Sequence, residues 1–347
     1  MEHVANAKAS RAPQYRHSLR QVAEVVGVSS MTVSRAFKKN ASVRPELRAR
    51  ILETAQKLGY EPDPRITSVM GAFVRRSSPT YRETLAYLLH PFSENNVFMS
   101  RFYEGSVKRA TDFGYHPEII WLKEKTSSFS RLEKMFRMRN IRGLIIGPTV
   151  SQPHGHIRLT WSRYAVAAVG SSLWKPRINR VQHHHYMAMI LALRKIRKQG
   201  GKRIGFIISS LMNARTQGTY VASFLANQTG VIADLASQVH RYTNWEERRF
   251  LTWLKQTKPD VVICSFLDEA RWIHDHFKRG RFRLVCLDVA TETPEFAGID
   301  QHYDILGSHT VDLVLSELQR REFGLPDHPQ TIMIEGSWRD GLSFPSA

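Results

Sequence analysis

Cysteine is scarce: the chain holds two in 347 residues, Cys264 and Cys286, each inside an apolar run. That excludes a disulfide framework and makes both read as small core residues of a reducing compartment. No stretch approaches the ~18 consecutive apolar residues that a membrane-spanning helix needs. Met1-Glu2-His3 opens a polar, basic start with no apolar segment behind it, which predicts a cytoplasmic chain. Catalytic signatures are missing too. There is no Gly-x-Ser-x-Gly, no Walker loop and no cluster at metal-ligand spacing, so no enzyme activity is expected. Acidic residues are few, 31 Asp and Glu against 50 Lys and Arg, and the resulting +19 points to a polyanionic partner or surface.

Apolar material is ample, at 42% of residues, and the length allows two or three domains, so wholesale disorder is excluded. The positive charge is densest at the N-terminus, where residues 1–78 hold 14 Lys and Arg against 6 Asp and Glu. Residues 1–17 lack periodicity and read as a flexible basic arm. From Ser18, a suitable cap, Leu19, Val22, Ala23 and Val26 form one helical stripe that stops at Gly27. Ser29 can cap a second helix with Val33 and Phe37 inward, and Pro45 opens a third through Ile51, Ala55 and Leu58. A small residue at the helix crossing, Ala23, and a glycine in the turn, Gly27, with Val33 and Ala36 pinning the second helix, make a helix-turn-helix. Its outward face offers Ser30, Met31, Ser34 and Arg35 to the major groove.

Glu61-Pro62-Asp63-Pro64 ends the helical headpiece, predicted over residues 18–62, and a linker with helical spacing at Ile66, Val69, Met70 and Phe73 fills 63–79. Residues 80–347 then alternate apolar strands with amphipathic helices. Buried parallel strands are predicted at 85–89, 143–146 and 164–169, and again at 203–208, 261–264 and 284–287, with helices near 98–113 and 128–139. Two doubly wound parallel-sheet lobes are the economical arrangement, with ligand expected outside the carboxyl ends of the strands in a cleft between the lobes.

The run from Leu19 to Phe37, followed by Val43, Arg48 and Leu58-Gly59-Tyr60-Glu61-Pro62, closely resembles the headpiece of LacI/GalR-type bacterial transcription regulators. The resemblance implies a cytoplasmic regulator, repressor-like, that binds a palindromic operator in double-stranded DNA as a homodimer. It places Ser30, Met31 and Arg35 at base-reading positions, with Ser29, Thr32 and Ser34 on phosphate or fixing the helix. Met31 offers only apolar contact, for example to a thymine methyl. The family's hinge leucine, which wedges into the minor groove, is replaced by Val69 with Met70 beside it.

The remainder is similar to the same family's core, itself like a periplasmic sugar-binding protein of two lobes and three crossovers. Its anchors include 141–146, 201–207, 258–264, Leu287-Asp288, Gln301 and Leu306-Gly307. Several sugar-binding groups are missing. The Arg-x-Arg element reads Arg215-Thr216-Gln217, the Asn-Asp pair reads Phe266-Leu267, and the aspartate opening the second lobe falls in His183-His184-His185. Candidate effector contacts are therefore His90, His184, Arg215 and Gln217, together with Phe266, Asp288 and Gln301. A site that has exchanged this many donors and acceptors has a reshaped pocket or another ligand, so the alternative is a DNA-binding regulator with a non-sugar effector or none. Trp174, Trp245 and Trp338 are candidates to stack on a ring, and the histidine run is no metal site, because neighbouring strand residues face opposite ways. The missing motifs and the headpiece oppose two other classes, an enzyme with an appended DNA-binding domain and an exported sugar-binding protein.

Arg35→Ala is expected to remove about 1–3 kcal/mol of base discrimination. Selection of bound duplexes by the variant checks this, and an unchanged sequence preference would refute the assignment.

Overall fold

A computed structural model describes residues 19–29, 32–33, 36–37, 43–58, 60, 83–91, 97–122, 128–148, 155–228, 232–277, 282–289 and 295–345. The basic arm, the hinge segment over 63–79 and the candidates Ser30, Met31, Ser34, Arg35, Val69 and Met70 lie outside the described residues. The chain divides into two compact units, Met1–Tyr81 and Arg82–Ala347.

In the first unit, helix α1 (Leu19–Val26) buries Val22, Ala23 and Val26 and stops at Gly27. A φ of +76° there turns the amides of Gly27 and Val28 back onto the carbonyl of Ala23, both at 3.0 Å. Glycine takes this left-handed conformation without steric cost. Ser29 then caps the second helix: its hydroxyl accepts from the Thr32 amide at 3.2 Å and its carbonyl from Val33 at 3.1 Å. Val33 and Ala36 are fully buried, and helix α2 (Pro45–Lys57) closes the core with Ile51 and Ala55. Pro45 sits in the first turn, where its missing amide leaves nothing unpaired. Phe37 and Tyr60 rim this core edge to face at 5.8 Å, and the Arg48 guanidinium donates to the Ala36 carbonyl at 2.9 Å.

The second unit alternates strand and helix. Its first half comprises β1 (Thr84–Leu89), α3 (Val97–Asp112), β2 (His116–Trp121), α4 (Phe129–Met138), β3 (Gly143–Ile146), β4 (Gly155–His156), β5 (Ala165–Val169), β6 (Leu173–Lys175) and β7 (Arg180–His183). Next come α5 (His185–Lys198), β8 (Ile204–Ser209), α6 (Ser210–Arg215), α7 (Thr219–Ala226), α8 (Ile232–Ser237), β9 (Val239–Tyr242), α9 (Glu247–Thr257) and β10 (Val261–Cys264). α10 (Leu267–His276), β11 (Arg283–Cys286), β12 (Ala297–Asp300), α11 (Tyr303–Arg320), β13 (Thr331–Ile334) and β14 (Ser337–Arg339) complete it. One sheet runs β13-β7-β5-β3-β1-β2 with every pair parallel, and the other runs β14-β12-β11-β10-β8-β9, parallel except at β14. The chain passes between the sheets three times, through α5, through α11 and between β13 and β14.

Helices cover both faces of each sheet, which is why the central strands are apolar without alternation. Leu85, Tyr87 and Ile145 pack under Leu306, Val311 and Val314 of α11, while Ala86, Leu88 and Leu144 face Phe136 of α4. In the other lobe Ile263 and Val285 meet Ala192 and Ile196 of α5, and Val262 and Leu284 meet Phe250 and Ile273. Cys264 and Cys286 are cross-strand neighbours with free thiols and no exposed surface, so they pack as core.

α3 and α11 approach closely enough to exclude side chains. A methyl on Gly307 would stand 2.2 Å from the Phe102 carbonyl oxygen, and one on Gly105 would stand 2.2 Å from that of Asp304. Alanine gains about 1 kcal/mol over glycine in an open helix, and overpacking costs about 1–3 kcal/mol or more. Gly307→Ala is therefore expected to destabilise the core, by about 1–2 kcal/mol net. Urea unfolding measures it, and a gain in stability would contradict the packing.

Candidate DNA-reading headpiece and effector cleft

Of the headpiece candidates, Ser29 and Thr32 are described. Their hydroxyls lie 2.9 Å apart, and Ser29 Oγ also takes the Thr32 amide, so Ser29 fixes the start of the second helix. Thr32 is half-buried beside it.

The second unit holds a cavity of about 420 Å³ at the carboxyl ends of its strands, within the range of small-molecule sites. Gly170-Ser171-Ser172 follow β5, His183 ends β7, Ser265 and Phe266 follow β10, Asp288 follows β11 and Gln301 follows β12. Helix starts supply Phe98, His185, Tyr303 and Leu306, and α6 supplies Met212 and Arg215. Both lobes thus line one cavity.

Its polar groups are enclosed. The Gln301 amide donates to the Tyr220 hydroxyl at 3.0 Å, and that hydroxyl lies 3.1 Å from His185 Nδ1. Phe98 meets the Tyr303 ring edge to face at 4.8 Å, and His183 packs on the same ring at 5.1 Å. Burial pushes His183 down to about 3 and His185 to about 4, so both imidazoles are neutral at physiological pH. Burial likewise raises the Asp288 carboxyl to about 6, against the opposing hydrogen bond from Tyr303. Asp288 Oδ1 and Gln301 Oε1 have no hydrogen-bond partner among the described residues.

Behind the wall, Glu269 accepts the amides of Ser265 at 2.6 Å and Phe266 at 3.0 Å, the Ser265 hydroxyl at 3.0 Å and the Tyr242 hydroxyl at 2.7 Å. Burial still lifts its carboxyl to about 7. It holds the start of α10, and hence Phe266, Leu267 and Asp268, in place.

The second unit's fold has known counterparts. A Lac repressor dimer bound to operator and the anti-inducer ONPF aligns with TM-score 0.57 at 16% identity, covering 95% of this chain and all of that one. At that identity the likeness is one of fold. The sucrose operon repressor of Escherichia coli is 52% identical over 108 residues, 30% of this chain and 29% of that protein. The regulator MalR of Streptococcus pneumoniae is 22% identical over 193 residues, 55% of this chain and 56% of that one. The chain thus spans under a third of one curated relative and about half of the other. Residues 18–63 match the family model for bacterial regulatory proteins, lacI family, and over the rest of the chain the likeness is one of fold.

Of the effector candidates, Arg215, Phe266, Asp288 and Gln301 line the cavity, whereas His90, His184 and Gln217 do not. The histidine run straddles a strand end. His183 closes β7 and His185 opens α5, and the alternation turns these two toward the cavity while the His184 ring accepts the Met187 amide at 3.4 Å as the helix cap. Gln217 takes a left-handed turn, φ +54°, and is exposed. The tryptophans lie elsewhere: Trp245 packs against Trp272 at 4.8 Å, Trp338 against Phe344 and Lys195, and Trp174 is half exposed in β6. Sequence reading missed Phe98, which falls in the helix predicted near 98–113, and did not single out Tyr220 or Tyr303. The signal available was their nearness to strand carboxyl ends. Among the described residues no group of three or more His, Cys, Asp or Glu is placed to hold a metal, and no helix is long and apolar enough to cross a membrane. The matched relatives are named as repressors and regulators, not enzymes.

Histidines whose folded pKa lies below the ordinary 6.5 add stability that is complete above that value and lost as pH falls through it, because the unfolded chain binds the protons. The buried carboxyls Asp288 and Glu269 run the opposite way. Relative to wild type, a His183→Gln/His185→Gln variant is expected to gain stability as pH drops from about 6.5 toward 4. Unfolding at pH 7 and 4.5 measures the difference, and a constant gap would refute the neutral pair.

Proposed function

We propose that the protein is a cytoplasmic, sequence-specific transcription regulator, repressor-like, that reads a palindromic operator as a homodimer and responds to a small molecule in the inter-lobe cleft. The match of residues 18–63 to the lacI family, on a headpiece that folds as a helix-turn-helix core, carries this reading. A single recognition helix contacts one half-site, and a two-fold partner supplies the second, which gains affinity and mirrors operator symmetry. The basic N-terminal segment neutralises phosphate, so binding weakens steeply with salt. Support for the cleft is its position, at the strand carboxyl ends between two lobes like those of a Lac repressor bound to operator and an anti-inducer. The protein acts by binding, without a catalytic step.

Selection from random duplex DNA by the full-length protein at near-physiological salt tests the proposal. Two inverted half-sites about a short centre are expected. Sequence-independent retention that disappears with salt would overturn it.

A further inference from the structure

Among the described residues, one cation on the cleft wall has no counter-charge. Arg215 ends α6, is mostly buried, and lines the cavity. Among the described residues no carboxylate pairs with it and no hydrogen bond engages it; its electrostatic neighbour is the Tyr303 hydroxyl. The wall's two aspartates are engaged or distant. Asp268 is almost wholly exposed and pairs with Arg271 at 3.6 Å, while the Asp288 carboxyl is hydrogen-bonded by Tyr303. Withdrawing a guanidinium from water without a partner is costly, and burial lowers its affinity for the proton accordingly.

The rest of the wall is unusual for a ligand held by hydroxyl contacts. Phe98, Phe266, Leu267, Tyr220 and Tyr303 present rings and hydrocarbon. Nearby hydroxyls are already spent: Thr216 donates to the Met212 carbonyl at 2.9 Å, Ser171 donates to Gln182, and Ser265 donates to Glu269 at 3.0 Å. Asp288 Oδ1 and Gln301 Oε1 keep open acceptors, and the guanidinium of Arg215 supplies the strongest single donor on the wall.

Taking the cleft as the effector site proposed above, we propose that the effector is a small organic anion, a carboxylate or phosphate monoester on an apolar or ring-shaped body, whose charged oxygens pair with Arg215. The guanidinium fork matches either group in bidentate geometry. The aromatic wall takes the body.

Two measurements on the full-length protein decide it. Without ligand, Arg215→Met should raise the thermal midpoint by about 2 °C or more, because an unpaired charge is removed. An unchanged or lower midpoint overturns the proposal. Matched probes at equal ionic strength form the second arm: glucose, glucuronate and glucose 6-phosphate, then benzyl alcohol, benzoate and phenyl phosphate. Acidic members should stabilise the protein saturably where the neutral one does not, and Arg215→Met should weaken them at least about tenfold. The carboxylate and phosphate members tell which anion fits. Neutral members that bind as well as the acids overturn the anion assignment but leave the cleft as an effector site. An acid that binds through Arg215 without altering operator affinity upholds the anion site and overturns the effector reading.

Discussion

The contact of α3 with α11, backbone against backbone through Gly105 and Gly307, is the constraint on which the cleft depends. α3 follows the first strand, and α11 arrives from the other lobe after β12. Because neither helix carries a side chain at the crossing, their N-terminal ends come together and bring Phe98 edge to face with Tyr303 on the cavity wall. Arg101 of α3 also reaches Asp300 at the end of β12 and Asp304 of α11, both at 3.9 Å. Asp300 is buried and meets Arg339 of β14 at 3.1 Å, so its charge is compensated from both lobes. These groups tie the sheets together where the chain crosses.

How much of this was legible in the sequence follows from burial. Val261–Cys264 and Gly143–Ile146 are covered by helices on both faces, and uninterrupted apolar runs of that kind have the bounds predicted from sequence. Edge strands escaped notice. β2 reads His116-Pro117-Glu118-Ile119-Ile120-Trp121 and is only half-buried, and β13 exposes Thr331, Ile332 and Met333, so neither carries the same signal. In the headpiece the caps are local, and Gly27, Ser29 and Pro45 play the parts their chemistry dictates.

The cavity was legible at strand ends and obscure elsewhere. Phe266 and Asp288 follow the strands predicted at 261–264 and 284–287, Gln301 follows β12, which was not predicted, and all three line it. Tyr220 and Tyr303 sit in helices, where an aromatic at helical spacing looks like core, and they are core with one edge turned to the cavity. The histidine run failed by one residue because the strand-to-helix junction decides which ring faces in, and sequence does not mark that junction sharply.

Glu269 has a consequence beyond local order. Its carboxylate grips the backbone of Ser265 and Phe266 from behind, through groups that do not depend on which side chains project forward. The floor of the cleft is thus decoupled from its lining. Replacements at 266, 267 or 268 can therefore reshape the lining of the cavity while the backbone that carries them stays anchored.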